Sequence, residues 1–381
     1  LSRVAKAHDL NLTVDAEEAD RLKLSLDVIA AVAADPSLAG WHGFGLAVQA
    51  YQKRAPAVID YMVELAESLN RRFMVRLVKG AYWDTEMKRA QERGLDDYPL
   101  FTRKASTDLS YLVCADKLLR ARPRLYPQFA THNALTVAEV SEIAGADRHF
   151  EFQRLHGMGD TLYREVTEKD GQPCRIYAPV GGHKDPLAYL VRRLLENGAN
   201  SSFVAAVGDA KVEISTLLKR PADVLDGGDR ARHARIPLPA DLFGARRNSR
   251  GVELADEQAL EPLLAAIAAA GSDFGTAASI IDGADVAGSS RVLLSPVDGK
   301  TAVGRAIDAD ADTAGKAVAS AAAGFRQWSG TPAETRAAVL ERAADLLEDR
   351  LPAFLAVLGL EAGKTLSDGV AEVREAVDFC R

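Results

Sequence analysis

The feature that most restricts the fold is a repeated switch between two hydrophobic periods through the first half of the chain. Residues 11–15 form a short strand candidate, and over residues 17–33 Leu22, Leu26, Ile29 and Ala33 recur at helical spacing until Asp35-Pro36 stops the helix. Residues 43–49 then alternate Phe44, Leu46 and Val48 with small residues, and a helix follows with Val58, Tyr61, Met62, Leu65 and Leu69 on one face. Residues 73–79 repeat the strand signal. Further strands are expected at 128–131, 150–153 and 175–178, with a weaker one at 202–207, and further helices near 106–119, 136–144, 160–168 and 186–197.

Strands that alternate with helices in this way build a parallel sheet. A closed strand-helix barrel has eight strands, whereas the pattern supplies six good strands and one weak one. The expectation is an α/β fold, a (β/α)8 barrel lacking its first strand, with the absent strand lying before Leu1. An open doubly wound sheet is the alternative.

Composition narrows the class. The chain has 381 residues, 48% hydrophobic and 27% charged, enough for more than one core. No apolar run approaches the roughly 20 residues that cross a bilayer, and no signal peptide opens the sequence, so a cytoplasmic location is expected, with peripheral contact at the inner face of a membrane left open. A net charge of -7 and the lack of a dense Lys/Arg block argue against nucleic acid. Cys114, Cys174 and Cys380 are widely spaced, as reduced thiols are in a chain of this size. No His/Cys spacing suits a metal, and His183 has no partner at ligand distance along the chain.

From about residue 208 the texture changes to Asp, Gly, Pro and Arg, including Asp226-Gly227-Gly228-Asp229. That stretch reads as a connection, dividing the chain into 1–207, a linker at 208–246 and a second unit at 247–381. The second unit is Ala-rich, with amphipathic helical patterns at 311–328, 332–348, 352–361 and 365–379. It is expected to be mostly helical.

Polar residues gather at the expected C-terminal ends of the strands, where barrel enzymes hold ligands. Arg76 interrupts an apolar strand and must be paired or bound to a ligand; an internal ion pair is the plain alternative. Gln49, Asp15 and Thr131-His132-Asn133 end their strands likewise, although His132 alone reads as a structural histidine and Asp15 as a cap for the next helix. In the helix at 186–197, Tyr189, Arg192, Arg193 and Glu196 share one face. Two guanidinium groups there suit a carboxylate, and a solvated charged face is the bland reading. The turns at His156-Gly157-Met158-Gly159 and Val180-Gly181-Gly182 match no nucleotide fingerprint.

Six ordered segments give a more specific signal. Asp15-Ala16-Glu17-Glu18, Gln49-Ala50-Tyr51-Gln52-Lys53-Arg54, Arg76-Leu77-Val78-Lys79-Gly80-Ala81-Tyr82-Trp83-Asp84, Ala130-Thr131-His132-Asn133-Ala134, Phe152-Gln153-Arg154-Leu155-His156-Gly157-Met158-Gly159 and residues 189–200 resemble the proline dehydrogenase barrel of the bacterial proline utilization A family. Asn248-Ser249, Glu361-Ala362-Gly363-Lys364-Thr365 and residues 372–379 resemble the start of that family's glutamate semialdehyde dehydrogenase domain.

The resemblance implies oxidation of L-proline to 1-pyrroline-5-carboxylate by hydride transfer to FAD, with a quinone at the membrane surface as electron acceptor. It places Arg192 and Arg193 on the proline carboxylate. Tyr82, Tyr177 and Tyr189 would shape the pocket, with Asp15 in its polar network and Met158 near the ring. Arg76 and Gln49 would address the flavin ring, and Lys79, Gly80, Trp83, Thr102, Lys104, Thr131, His132, Asn133 and Glu196 the rest of FAD. Arg76, Asp15 and Tyr82 are thus the candidate catalytic residues. NAD belongs to the family's aldehyde dehydrogenase domain, whose nucleophilic cysteine and glutamate are expected beyond Arg381; Cys380, in a helical pattern, is not that nucleophile. Upstream, the family's first strand carries a lysine near the substrate that is missing here. A homo-oligomer stays open, and a non-catalytic scaffold is the competing reading.

Overall fold

The computed structural model describes residues 1–182, 187, 191, 212–225 and 232–381. The chain divides into two compact units, one of Leu1–Lys88 and Tyr98–Ile236, the other of Arg89–Asp97 and Pro237–Arg381.

Along the first unit a short helix, α1 (Ser2–Ala7), precedes β1 (Leu12–Val14), α2 (Leu22–Ala33), β2 (Phe44–Gln49), α3 (Ala55–Ser68), β3 (Phe73–Val78), α4 (Trp83–Glu92, counted with the second unit from Arg89), α5 (Lys104–Arg120), β4 (Leu125–Ala130), α6 (Ala134–Ala144), β5 (Glu151–Leu155), α7 (Asp160–Asp170) and β6 (Cys174–Tyr177). The six strands form one sheet in sequential order, and every neighbouring pair is parallel. All six strongly expected strands are present within a residue or three of their expected ends. The seventh candidate, at 202–207, lies outside the described residues, as does the helix at 186–197 apart from Leu187 and Val191.

The sheet is two-faced because its strands alternate. Phe44, Leu46, Val48, Phe73, Val75, Leu77, Phe129 and Phe152 are buried against Ile59, Met62, Tyr111, Cys114, Leu118 and Val140 of the covering helices. Removing such side chains from water contributes about 1.5–3 kcal/mol each. The aromatic members pack edge-on, with Phe129 and Phe150 centroids 5.4 Å apart. The opposite face carries Gln49, Arg76, Gln128, Glu151, Gln153 and Arg175 in turn. The helix-covered outer face is apolar and the inner face carries these polar side chains, and the six parallel strands make up a half-barrel.

One helix starts later than its periodicity suggests. Residues 17–19 do not join α2, because their backbone groups are held by side chains from elsewhere. The Glu17 carbonyl accepts from Gln49 Nε2 at 2.8 Å, the Ala19 N–H donates to Glu86 Oε1 at 2.6 Å, and the Ala19 carbonyl accepts from Arg54 at 2.7 Å. The helix α1 and the helix α4 were not anticipated; α4 directly follows the small residues after β3.

The second unit holds α8 (Glu257–Ala269), five short strands, and the helices α9 (Ala311–Gly330), α10 (Ala333–Asp349), α11 (Leu351–Glu361) and α12 (Leu366–Cys380). The last four coincide closely with the expected helices. The short strands, between Thr276 and Ile307, were not among the expected elements of this mostly helical unit. One pair, Ile280–Ile281 with Ala284–Asp285, is a hairpin through Asp282 and Gly283, both at positive φ. Asp-Gly is the signal for such a turn. Two motifs distant in sequence meet in this unit: Asp378 of α12 accepts from the Ser249 N–H at 2.9 Å and from its hydroxyl at 2.7 Å. Among the described residues no helix is long and apolar enough to cross a membrane.

Candidate active site

Because all six strands are parallel, their C-terminal ends lie on one rim, and the residues following them converge there. Arg76 is the centre of that convergence. It projects from β3 onto the inner face, with its side chain 18% exposed. Its Nη1 donates to the carboxylate of Asp15, just past β1, at 2.6 Å, and its Nε donates to Gln153 Oε1 of β5 at 2.9 Å. The guanidinium carbon stands 5.0 Å from the centre of the Tyr177 ring at the end of β6, within cation–π range. One side chain therefore ties together strands one, three, five and six. Asp15 is an ion-pair partner for this arginine, and the helix-cap reading of it is set aside.

A second group forms around Glu17. Its carboxylate accepts from the Tyr82 hydroxyl at 3.0 Å, and its carbonyl accepts from Gln49. Gly80, between them in sequence space, has φ +138°, and a Cβ there would lie 2.4 Å from the Tyr51 ring. Glycine at this position lets the backbone leave β3 against an aromatic face.

A third group is electrostatic. Lys79 pairs with Asp108 of α5, and Lys104 reaches the same carboxylate at 2.7 Å. Burial lowers the Lys79 ammonium below its usual value, against the pull of Asp108. Burial pushes Asp108 up, but the two ammonium groups outweigh it and hold the carboxyl below its ordinary range. Nearby Glu139 is pushed up by burial.

The segment after β4 is built by local hydrogen bonds. Asn133 caps α6, accepting from the N–H groups of Leu135 and Thr136 at 2.9 and 3.3 Å, while Thr131 Oγ1 accepts from the Asn133 N–H at 3.1 Å. His132 Nε2 accepts from the Leu155 N–H at 3.2 Å, which fixes the imidazole against the end of β5. Trp83, 36% exposed, donates its indole N–H to the Phe101 carbonyl at 3.0 Å. Thr102 Oγ1 accepts from the His233 N–H at 2.9 Å, and the Met158 carbonyl accepts from Arg154 at 3.0 Å.

The structure thus joins Asp15, Arg76 and Tyr177 directly, links Gln49 and Tyr82 through Glu17, and pairs Lys79 with Lys104 through Asp108. Tyr189, Arg192, Arg193 and Glu196 lie outside the described residues. Sequence reasoning missed Glu17, Asp108, Glu151 and Gln153. The signal for Glu151 and Gln153 is the strand register, which pairs Gln128 with Arg76, Glu151 with Gln128 and Gln153 with Arg175 on adjacent strands; Glu17, in the turn after β1, and Asp108, on α5, have no such signal.

Fold and site define a class: a parallel strand-helix enzyme domain whose polar inner face delivers cations, carboxylates and aromatic rings to one rim. The chain belongs to the proline dehydrogenase family, which it matches over residues 1–206, and residues 286–381 match the aldehyde dehydrogenase family. It is 47% identical over 394 residues to "Bifunctional protein PutA" of Salmonella typhimurium, covering 100% of this chain and 30% of that protein. Against the protein of the same description from Rhizobium meliloti it is 48% identical over 389 residues, covering 100% and 32%. A variant of Bradyrhizobium japonicum proline utilization A matches in three dimensions with a TM-score of 0.86 at 58% identity, over 100% of this chain and 36% of that one. The chain spans about a third of the length of these relatives.

Proposed function

We propose that the first unit oxidises L-proline to 1-pyrroline-5-carboxylate with FAD, as one half of a proline-to-glutamate enzyme. The observation that carries this reading is the Arg76 cluster, a fixed positive charge at the C-terminal rim of a parallel sheet, inside a chain of the proline dehydrogenase family.

The donor set suits FAD. Arg76 is a permanent cation at the rim, and Lys79 and Lys104 set two ammonium groups against one carboxylate, a balance that favours phosphate. Gln49 and Arg76 would address the flavin ring. Lys79, Gly80, Trp83, Thr102, Lys104, Thr131, His132, Asn133 and Glu196 would hold the remainder. FAD, when bound, supplies the two-electron acceptor that takes the hydride from proline. Arg76 would stabilise negative charge arriving at the rim. Asp15 would hold the Arg76 guanidinium in place, Tyr82, Tyr177, Tyr189 and Met158 would wall the substrate, and Arg192 and Arg193 would fork onto its carboxylate.

The same proposal assigns residues 1–207 to proline oxidation, 208–246 to the connection and 247–381 to the opening of an aldehyde dehydrogenase domain that uses NAD. It includes a cytoplasmic enzyme that passes electrons to a membrane quinone. A second reading, a non-catalytic scaffold, is favoured by one observation: among the described residues β1 has a strand neighbour on one side only. On that reading the pocket lacks one wall, and turnover by the 381-residue chain is then expected to be slow.

The test is to purify the chain, add FAD, remove the excess and follow the flavin absorbance anaerobically as proline is added. Retained flavin that bleaches with proline is the expected result. A colourless protein that FAD cannot reconstitute, and that gives no proline-dependent dye reduction, overturns the assignment in favour of the scaffold.

A further inference from the structure

Beneath Arg76 the inner face of the sheet carries a polar chain that reaches the site through Gln153. Glu151 begins β5 with its side chain 5% exposed, yet it accepts four hydrogen bonds. Arg175 grips it through Nε at 2.7 Å and Nη2 at 2.8 Å, Gln128 Nε2 donates at 2.8 Å and Gln153 Nε2 at 2.9 Å. Gln153, 1% exposed, turns its other end upward, where Oε1 accepts from Arg76 Nε.

The chemistry of the three partners allows one orientation of that amide. Arg76 has donors only and an ionised Glu151 has acceptors only, so Gln153 must present its oxygen upward and its NH2 downward. A flipped amide sets N–H against N–H at one end and oxygen against carboxylate at the other. A carboxylate at position 153 meets Glu151 in a buried place, and an apolar side chain leaves Arg76 Nε without that acceptor. Glu151 is itself immobilised by Arg175 and Gln128, so the rigid sheet, through Gln153, dictates the rotation of the guanidinium.

We propose that Gln153 and Glu151 are positioning residues that set the rotation of the Arg76 guanidinium and thereby its pairing with Asp15 at the rim; this rests on the reading of Arg76 as a residue of the proline and flavin site. Gln153 acts directly on Arg76, and Glu151 acts through Gln153.

The experiment uses the 381-residue chain reconstituted with FAD, in three variants: Gln153→Met, which keeps the volume and unbranched shape; Glu151→Gln; and Arg76→Met. Each is read by its crystal structure, by flavin retained per chain and by the proline concentration needed for half-maximal flavin reduction. In Gln153→Met we expect the Arg76 guanidinium to rotate off Asp15, full flavin retention and a proline requirement raised about tenfold, the loss typical of a hydrogen bond to a charged group. Glu151→Gln should give a smaller change of the same sign, with Arg76 in more than one rotation. An unmoved Arg76–Asp15 pair and an unchanged proline requirement in Gln153→Met overturn the proposal. If that variant does not fold, Glu151→Gln decides it by the same two readouts. Failure of the underlying reading shows differently: Arg76→Met would then keep its flavin and its proline dependence, whereas the rotation of Arg76 in the other two variants is still read from their structures.

Discussion

The Arg76 guanidinium and the Asp15 carboxylate lie 2.6 Å apart although they are 61 positions apart in the chain. The arginine comes from the middle of a strand and the aspartate from the turn beyond another, with a whole strand, β2, between them in the sheet. The pair therefore bridges over β2 on the inner face. It is half solvated: the Asp15 side chain is 71% exposed and the Arg76 side chain 18%. Such a pair adds little to stability, and its worth lies in where it holds a charge.

Asp15→Asn should separate those two roles. Unfolding by urea is expected to shift by less than about 1 kcal/mol, since one partner is largely in water. Proline-driven flavin reduction is expected to slow about tenfold, because the arginine loses the charged partner that fixes it. Equal losses in both measurements would contradict the assignment.

The Lys79–Asp108–Lys104 group predicts an acid-side loss of stability. The folded Asp108 carboxyl lies below its usual value, so its contribution is present above the unfolded value of about 4 and fades as pH falls through the folded one. Asp108→Asn should therefore be less stable than the parent near about pH 6, by about 2 kcal/mol for loss of a partly buried ionic partner, with the gap narrowing near about pH 3. Urea midpoints at the two pH values check this; a gap that stays constant rejects it.

Gly80→Ala tests the exit from β3. At φ +138° and with the Tyr51 ring 2.4 Å from the added Cβ, alanine needs a backbone shift. The expected cost is about 1–3 kcal/mol, together with reduced flavin retention, because Lys79, Tyr82 and Trp83 flank the same turn. Unaltered denaturation and flavin content would show that the turn relaxes freely.

Phe129→Ala tests the opposite face of the sheet. Phe129 is fully buried, with Phe150 and Phe152 ring centres at 5.4 and 6.2 Å. Its truncation should cost about 3–5 kcal/mol. Folded molecules that remain should still bind flavin, since the residue points away from the inner face. Loss of flavin binding from fully folded protein would show the two faces to be coupled.

Much of this molecule is legible along the chain. Period-two runs such as Phe73, Val75 and Leu77 mark strands, because alternate side chains must reach one apolar face. The helices α3, α5, α6 and α7 and the four long helices of the second unit are equally plain from their apolar spacing. The ordered motifs around Asp15, Gln49, Arg76 and His132 also point to one rim. The small strands between Thr276 and Ile307 were less visible: some pair only two residues, and most of their side chains are exposed, so little hydrophobic alternation marks them.

The sequence by itself determined which segments become strands and helices, since periodicity is a property of neighbours along the chain. It also showed that Arg76, set in an apolar strand, needs a partner. Only the tertiary structure decided which partner. Asp15 rather than a closer carboxylate meets Arg76, Glu17 joins Tyr82 to Gln49, and Glu151 reaches Arg76 through Gln153, because sheet order and register bring together side chains that no local spacing relates. Those pairings are long-range choices made by the packing of parallel strands, and the chemistry of the rim follows from them.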